Sequence, residues 1–120
     1  MAGWPEFIEA EWRPYLPQRL PVKKGERTRT LVGNQIMWGA GVQGQEGRTE
    51  WAGPEDYTVE GRVANFDRDG IDIAVLSPNS PALDMVWFPD DPGLAAAYCR
   101  TQISYMQHYA SQAPGRLLLA

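Results

Sequence analysis

The side chains that could do chemistry are few and widely spaced. The chain has one histidine, His108, and one cysteine, Cys99, so it offers neither a His-x-His pair nor a Cys/His ligand set. His108 stands beside Tyr105, Tyr109 and Gln112 late in a helical stretch and reads as a helix-surface or packing residue. Cys99 falls on an apolar stripe, where a small core thiol is the better reading, and no second histidine is available to activate it. Ser77 and Ser80 lack the Gly-x-Ser-x-Gly turn that exposes a serine nucleophile. Asp67, Asp69, Asp72, Asp84, Asp90 and Asp91 are scattered over helix ends and a loop, as solvated or capping carboxylates.

Two segments carry more shape. Gly39-Ala40-Gly41-Val42-Gln43-Gly44 matches the letters of the dinucleotide fingerprint. The residues that follow, Gln45 to Glu50, have no apolar helical face, so the segment reads as a flexible loop rather than a nucleotide site. Ser77-Pro78-Asn79-Ser80 leaves the end of an apolar strand, where open α/β sheets and βα barrels build their pockets. Ser77 and Asn79 are therefore the candidate substrate contacts, as polar groups at the strand end. An Asx or proline turn is the alternative reading of the same four residues.

The elements that must position these residues are sharpest in the second half. Thr58 is a plausible N-cap, Val59, Val63 and Phe66 follow at helical spacing, and Gly70 sits where a left-handed residue would stop the helix. Gly61 inside it costs roughly 1 kcal/mol relative to alanine. Ile71 to Ser77 is apolar on both faces, the pattern of a buried parallel strand. Asp91-Pro92 is an N-cap followed by proline at the first helical position, and the helix is expected to run to about Ala113. Ala95, Cys99, Ile103, Met106, Ala110 and Ala113 form its expected buried stripe. Pro114-Gly115 ends it, and Leu117 to Ala120 begins a second strand, giving a right-handed parallel crossover.

The first half is less regular. Trp4, Phe7, Ile8, Trp12, Tyr15 and Leu16 lie among Pro5, Pro14 and Pro17, which suits a short helix or turn packed on something. From Val22 to Gly61 the composition turns to Gly, Gln, Arg and Glu. Most of this reads as an ordered loop insertion, with one possible strand at Gln35 to Trp38. Residues 1–57 are thus an irregular segment and insertion, and 58–120 a helix-strand-helix-strand unit.

A formal net charge of −4, without a basic cluster beyond Lys23-Lys24 and the arginines after it, argues against nucleic acid as a partner. No secretory segment or membrane-length apolar run occurs, so a cytoplasmic protein with no membrane partner is the default expectation. Two parallel strands with nothing over their second face cannot bury both sides, and such sheets normally have several more βα units. Either the chain is a piece of a larger α/β protein, or a homo-oligomer or the Gly-rich excursion supplies the missing layer.

Arg62 to Pro78, with Asp67-Arg68-Asp69-Gly70-Ile71-Asp72 leading into an apolar strand, resembles the amidohydrolase-related family. That family is a branch of metal-dependent TIM-barrel enzymes that includes aminocarboxymuconate-semialdehyde decarboxylase. Cys99-Arg100 through Gln112-Ala113-Pro114-Gly115-Arg116-Leu117 resembles the family's next helix and the start of its following strand. Ile103-Ser104 depart from it, standing where the family often has Asn-Asp. Glu9 to Pro17 resembles the segment shortly after the first barrel strand.

The resemblance implies a partial (β/α)8 barrel and a parent hydrolase or non-oxidative decarboxylase. The substrate would be a small carboxylated or cyclic molecule, and the cofactor a divalent metal, commonly zinc. Its ligands in the family are a His-x-His pair on the first strand, a middle-strand histidine and a last-strand aspartate, none of which can be placed on this sequence. The expectation is a chain cut at both ends that by itself holds no metal and is inactive. The alternative is a small non-catalytic binding or assembly module that completes its sheet by oligomerising.

Overall fold

Capping residues set the helix boundaries. The computed structural model describes residues 4–42, 58–78 and 89–120. Helix α1 (Trp4–Phe7) and a 3-10 turn (Ala10–Tyr15) lead into three strands, β1 (Gln18–Leu20), β2 (Arg27–Val32) and β3 (Gln35–Val42). Then come α2 (Val59–Asp69), β4 (Ala74–Leu76), α3 (Pro92–Ser111) and β5 (Leu117–Leu119). The Thr58 side chain accepts from the Gly61 N–H at 3.0 Å, and Gly70 closes α2 with φ 72°. Asp91 Oδ1 accepts from the N–H groups of Gly93 and Leu94, at 2.7 and 3.4 Å, and opens α3.

The fold is mixed α/β with two separate sheets. One is an antiparallel meander in the order β1-β2-β3, and the other pairs β4 with β5 in parallel, Ala74 opposite Leu117 and Leu76 opposite Leu119. No closed barrel forms among the described residues. No described helix is long and apolar enough to cross a membrane.

The meander is a difference from the sequence expectation, which had most of residues 22–61 as loop. Val32 and Gln35 pair across a two-residue turn, with Gly33 at φ 60° in its first central position as a type II′ turn requires. Gly39 and Gly41, the first two glycines of the fingerprint, lie within β3 rather than between a strand and a helix. A Cβ on Gly39 would sit 2.0 Å from Thr28 Oγ1. That glycine therefore serves a close strand approach beside the register shift between Arg27 and Arg29. The rest of the fingerprint lies outside the described residues.

Helix α3 runs through both hydrophobic cores. Its first half places Leu94 and Tyr98 against Trp4, Ile8, Val32 and Met37. Its last turns place Ala110, with Tyr109, against Val59, Val63, Phe66, Ala74, Leu76 and Leu117. The buried face of the first half is Leu94, Ala97, Tyr98 and Thr101, not the expected Ala95, Cys99 and Ile103. Ile103 is exposed and Cys99 is only half-buried, which corrects the reading of Cys99 as a core thiol. The reason is tertiary: the N-terminal segment packs beside Tyr98 and so selects the face one residue away. Thr101 tolerates full burial because its hydroxyl donates to the Ala97 carbonyl at 2.7 Å.

The parallel sheet is covered on one face only. Ala74, Leu76 and Leu117 pack under α2 and α3, while Ile73, Val75 and Leu118 are exposed, Val75 at 64%. The expected two-sided burial of the Ile71–Ser77 run is therefore corrected to one-sided burial. Among the described residues nothing lies over the second face.

Candidate functional site

Ser77 follows the last residue of β4 and opens onto a cavity of about 250 Å³. Three elements build its walls: β4 with Leu76 and Ser77, the first turn of α2 with Arg62, and α3 with Gln102, Tyr105, Met106 and Tyr109. The four α3 residues are spaced at i, i+3, i+4 and i+7, which puts them on one helix face. The cavity thus sits at the carboxyl end of a parallel strand, where the sequence placed its candidate pocket. Asn79, the other candidate contact, lies outside the described residues.

The polar groups around this cavity are mostly donors. Gln102 Oε1 accepts from Trp4 Nε1 at 2.9 Å, so the free end of the Gln102 amide is its NH2. The Tyr109 hydroxyl donates to the Thr58 carbonyl at 3.2 Å, which consumes its proton and leaves its ring as wall. The rings of Tyr105 and Tyr109 lie 6.3 Å apart. Arg62 makes no side-chain ion pair or hydrogen bond among the described residues. Among the described residues no carboxylate, histidine or cysteine lines the cavity, so none of them stands as a base beside Ser77. The described part of the arrangement can hold an electron-rich group.

A larger cavity of about 370 Å³ lies between the 3-10 turn, the β2–β3 turn and the start of α3. Trp12, Tyr15, Asn34, Asp90 and Asp91 line it. Its carboxylates are engaged structurally: Asp91 caps α3, and Asp90 Oδ1 accepts from Gln35 Nε2 at 2.5 Å. The buried Tyr98 hydroxyl donates to the Tyr15 carbonyl. Burial pushes Tyr98 up to about 12, with a backbone hydrogen bond at Gly33 acting the other way. Glu9 is held below the usual carboxylate range by its hydrogen bond with Arg100, at 2.6 Å. The Tyr98–Tyr15 and Arg100–Glu9 bonds hold the N-terminal segment on α3.

Among the described residues no three His, Cys, Asp or Glu side chains come together as a metal centre, so these residues do not fit the divalent metal that the family resemblance implies. His108 is exposed, with its ring 5.4 Å from that of Phe7, in keeping with a packing role.

Of the described residues that line this cavity, the sequence reading named Ser77 as a candidate contact and did not name Arg62, Gln102, Tyr105 or Tyr109. The available signal was the i, i+3, i+4, i+7 set on α3, which breaks the apolar pattern of that helix with polar and aromatic residues. Compared with known proteins, the chain matches no family model, no curated protein and no solved structure.

Proposed function

We propose that this chain is the N-terminal part of a metal-dependent, amidohydrolase-related barrel enzyme. The parent is a hydrolase or non-oxidative decarboxylase acting on a small carboxylated or cyclic substrate. The observation that supports this reading is the one-sided β4–β5 pair: parallel strands joined through α3, covered by helices on one face and bare and apolar on the other. Parallel sheets are normally buried on both faces, and in a βα barrel the second face is the barrel interior. On this reading Ser77 borders the pocket, and Asn79, outside the described residues, is the second candidate substrate contact. The metal ligands lie on strands outside these 120 residues, and the chain by itself is inactive.

The test is the coding DNA on both sides of the reading frame. A His-x-His codon pair shortly upstream and further βα units downstream support the barrel reading, and clean flanking signals at both ends overturn it. The same bare face favours one second reading, a non-catalytic module that completes its sheet by self-association. A discrete, cooperatively unfolding dimer of the purified chain supports that module, whereas aggregation through the sheet supports the barrel piece.

A further inference from the structure

The cavity beside Ser77 has more definite chemistry than its position alone requires. Among the described residues its polar lining comes from Arg62, Ser77, Tyr105 and Gln102, whose amide oxygen already accepts from Trp4. A guanidinium presents a planar fork of donors suited to a carboxylate, and its charge strengthens each bond it makes. Arg62 also stands in the first turn of α2, an eleven-residue helix whose N-terminal end adds positive potential at the same place. Leu76, Met106 and the rings of Tyr105 and Tyr109 supply an apolar, partly aromatic wall. At about 250 Å³ the space is smaller than the roughly 300–1,000 Å³ typical of drug-sized ligand pockets.

We infer that this cavity is a carboxylate-binding subsite, in which Arg62 anchors the anion, Ser77 and Gln102 complete its hydrogen bonds, and the tyrosine rings hold a small apolar or aromatic body. The inference rests on the proposed function only in treating the ligand as substrate. Binding itself rests on the cavity.

The probe is sodium benzoate, titrated into the purified full chain and followed by amide NMR, with benzamide as the neutral isostere and inorganic phosphate as the competing anion. The expected result is saturable binding that shifts Arg62, Ser77, Gln102 and Tyr105. Benzamide and the Arg62→Gln variant should each bind at least about tenfold more weakly, the loss expected when a charge-assisted hydrogen bond is removed. Arg62 is exposed on α2, so the variant is expected to fold, and its amide spectrum checks this directly. Ser77→Ala provides a second, milder variant with a loss of a few-fold. Benzoate and benzamide binding alike, unchanged affinity in Arg62→Gln, tighter binding of phosphate, or shifts that never saturate would each overturn the inference. Failure here leaves the flanking-DNA test of the barrel reading untouched, and failure of that test leaves benzoate binding standing.

Discussion

Arg116 donates from Nη2 to Asp67 Oδ1 at 2.7 Å, tying the residue that leads into β5 to the last turn of α2. The same guanidinium donates to the backbone carbonyls of Asp72, at 2.6 Å, and Ile71, at 3.0 Å. One side chain therefore fixes the approach to both parallel strands. From the sequence it reads only as a polar residue before Leu117.

Replacing this clamp should separate its two kinds of bond. Asp67 is 63% exposed, so the ion pair itself is worth about 0–1 kcal/mol. The bonds to the two carbonyls are charge-assisted and should carry more, about 1–3 kcal/mol. Urea unfolding of Arg116→Met is expected to show the larger loss and Asp67→Ala the smaller. Equal losses would mean that the ion pair, not the carbonyl bonds, holds the approach.

The Tyr98 hydroxyl makes stability depend on alkaline pH. Its folded value is raised to about 12 from 10, so the folded chain keeps the proton longer than the unfolded chain. Its contribution is complete below about pH 10 and is lost as pH rises through about 12. Tyr98→Phe begins less stable at neutral pH, having lost the bond to the Tyr15 carbonyl, but its melting temperature should fall less steeply over that window. Circular dichroism melts of both chains at matched pH decide the matter, and parallel slopes would refute it.

Gly39 is required by Thr28. The Cβ of an alanine there would lie 2.0 Å from Thr28 Oγ1 and 3.2 Å from Thr28 Cβ, and a β-branched side chain cannot easily swing away. Gly39→Ala should cost about 1–3 kcal/mol, as overpacking does. Adding Thr28→Ala should recover part of that loss in a double-mutant cycle. Strictly additive losses would place the strain elsewhere.

How much of this was legible in the sequence depended on the range of the interaction. Thr58, Gly70 and Asp91 act on residues within a turn of themselves, so capping chemistry located both helices to within about two residues. The alternation of Thr28, Thr30 and Val32 before Gly33-Asn34 was a usable hairpin signal, but the glycine-rich composition around it favoured loop. The buried face of α3 was not legible. Ala95-Cys99-Ile103 and Leu94-Tyr98-Thr101 both repeat at helical spacing, and only the packing of Trp4 and Ile8 selects between them. Ser77 could be singled out as a cavity-lining residue because strand ends obey a topological rule. Arg62 and Gln102 reach the same cavity from elements that sequence spacing does not connect.

The bare sheet face should answer to charge. Val75 and Leu118 are 64% and 47% exposed, so Val75→Lys removes little native packing. Its unfolding free energy should stay within about 0.5 kcal/mol of the parent, while self-association measured by light scattering falls. Leu117→Ala, on the covered face, should instead cost about 2–5 kcal/mol. Persistent association in Val75→Lys would point to another surface.

Helix α3 belongs to two cores at once, with Tyr98 in the first and Ala110 in the second. Melting of either core would fray one half of the helix and leave the other half supported, so amide exchange along it should divide into two protection levels. The Ser77 cavity straddles that division: Gln102 is bonded to Trp4 of the first core, and Tyr109 to Thr58 beside the second. A ligand seated there would act as a rivet, merging two independently opening units into one cooperative whole. Ligand-induced loss of the two-level exchange pattern would then report occupancy of the cavity directly.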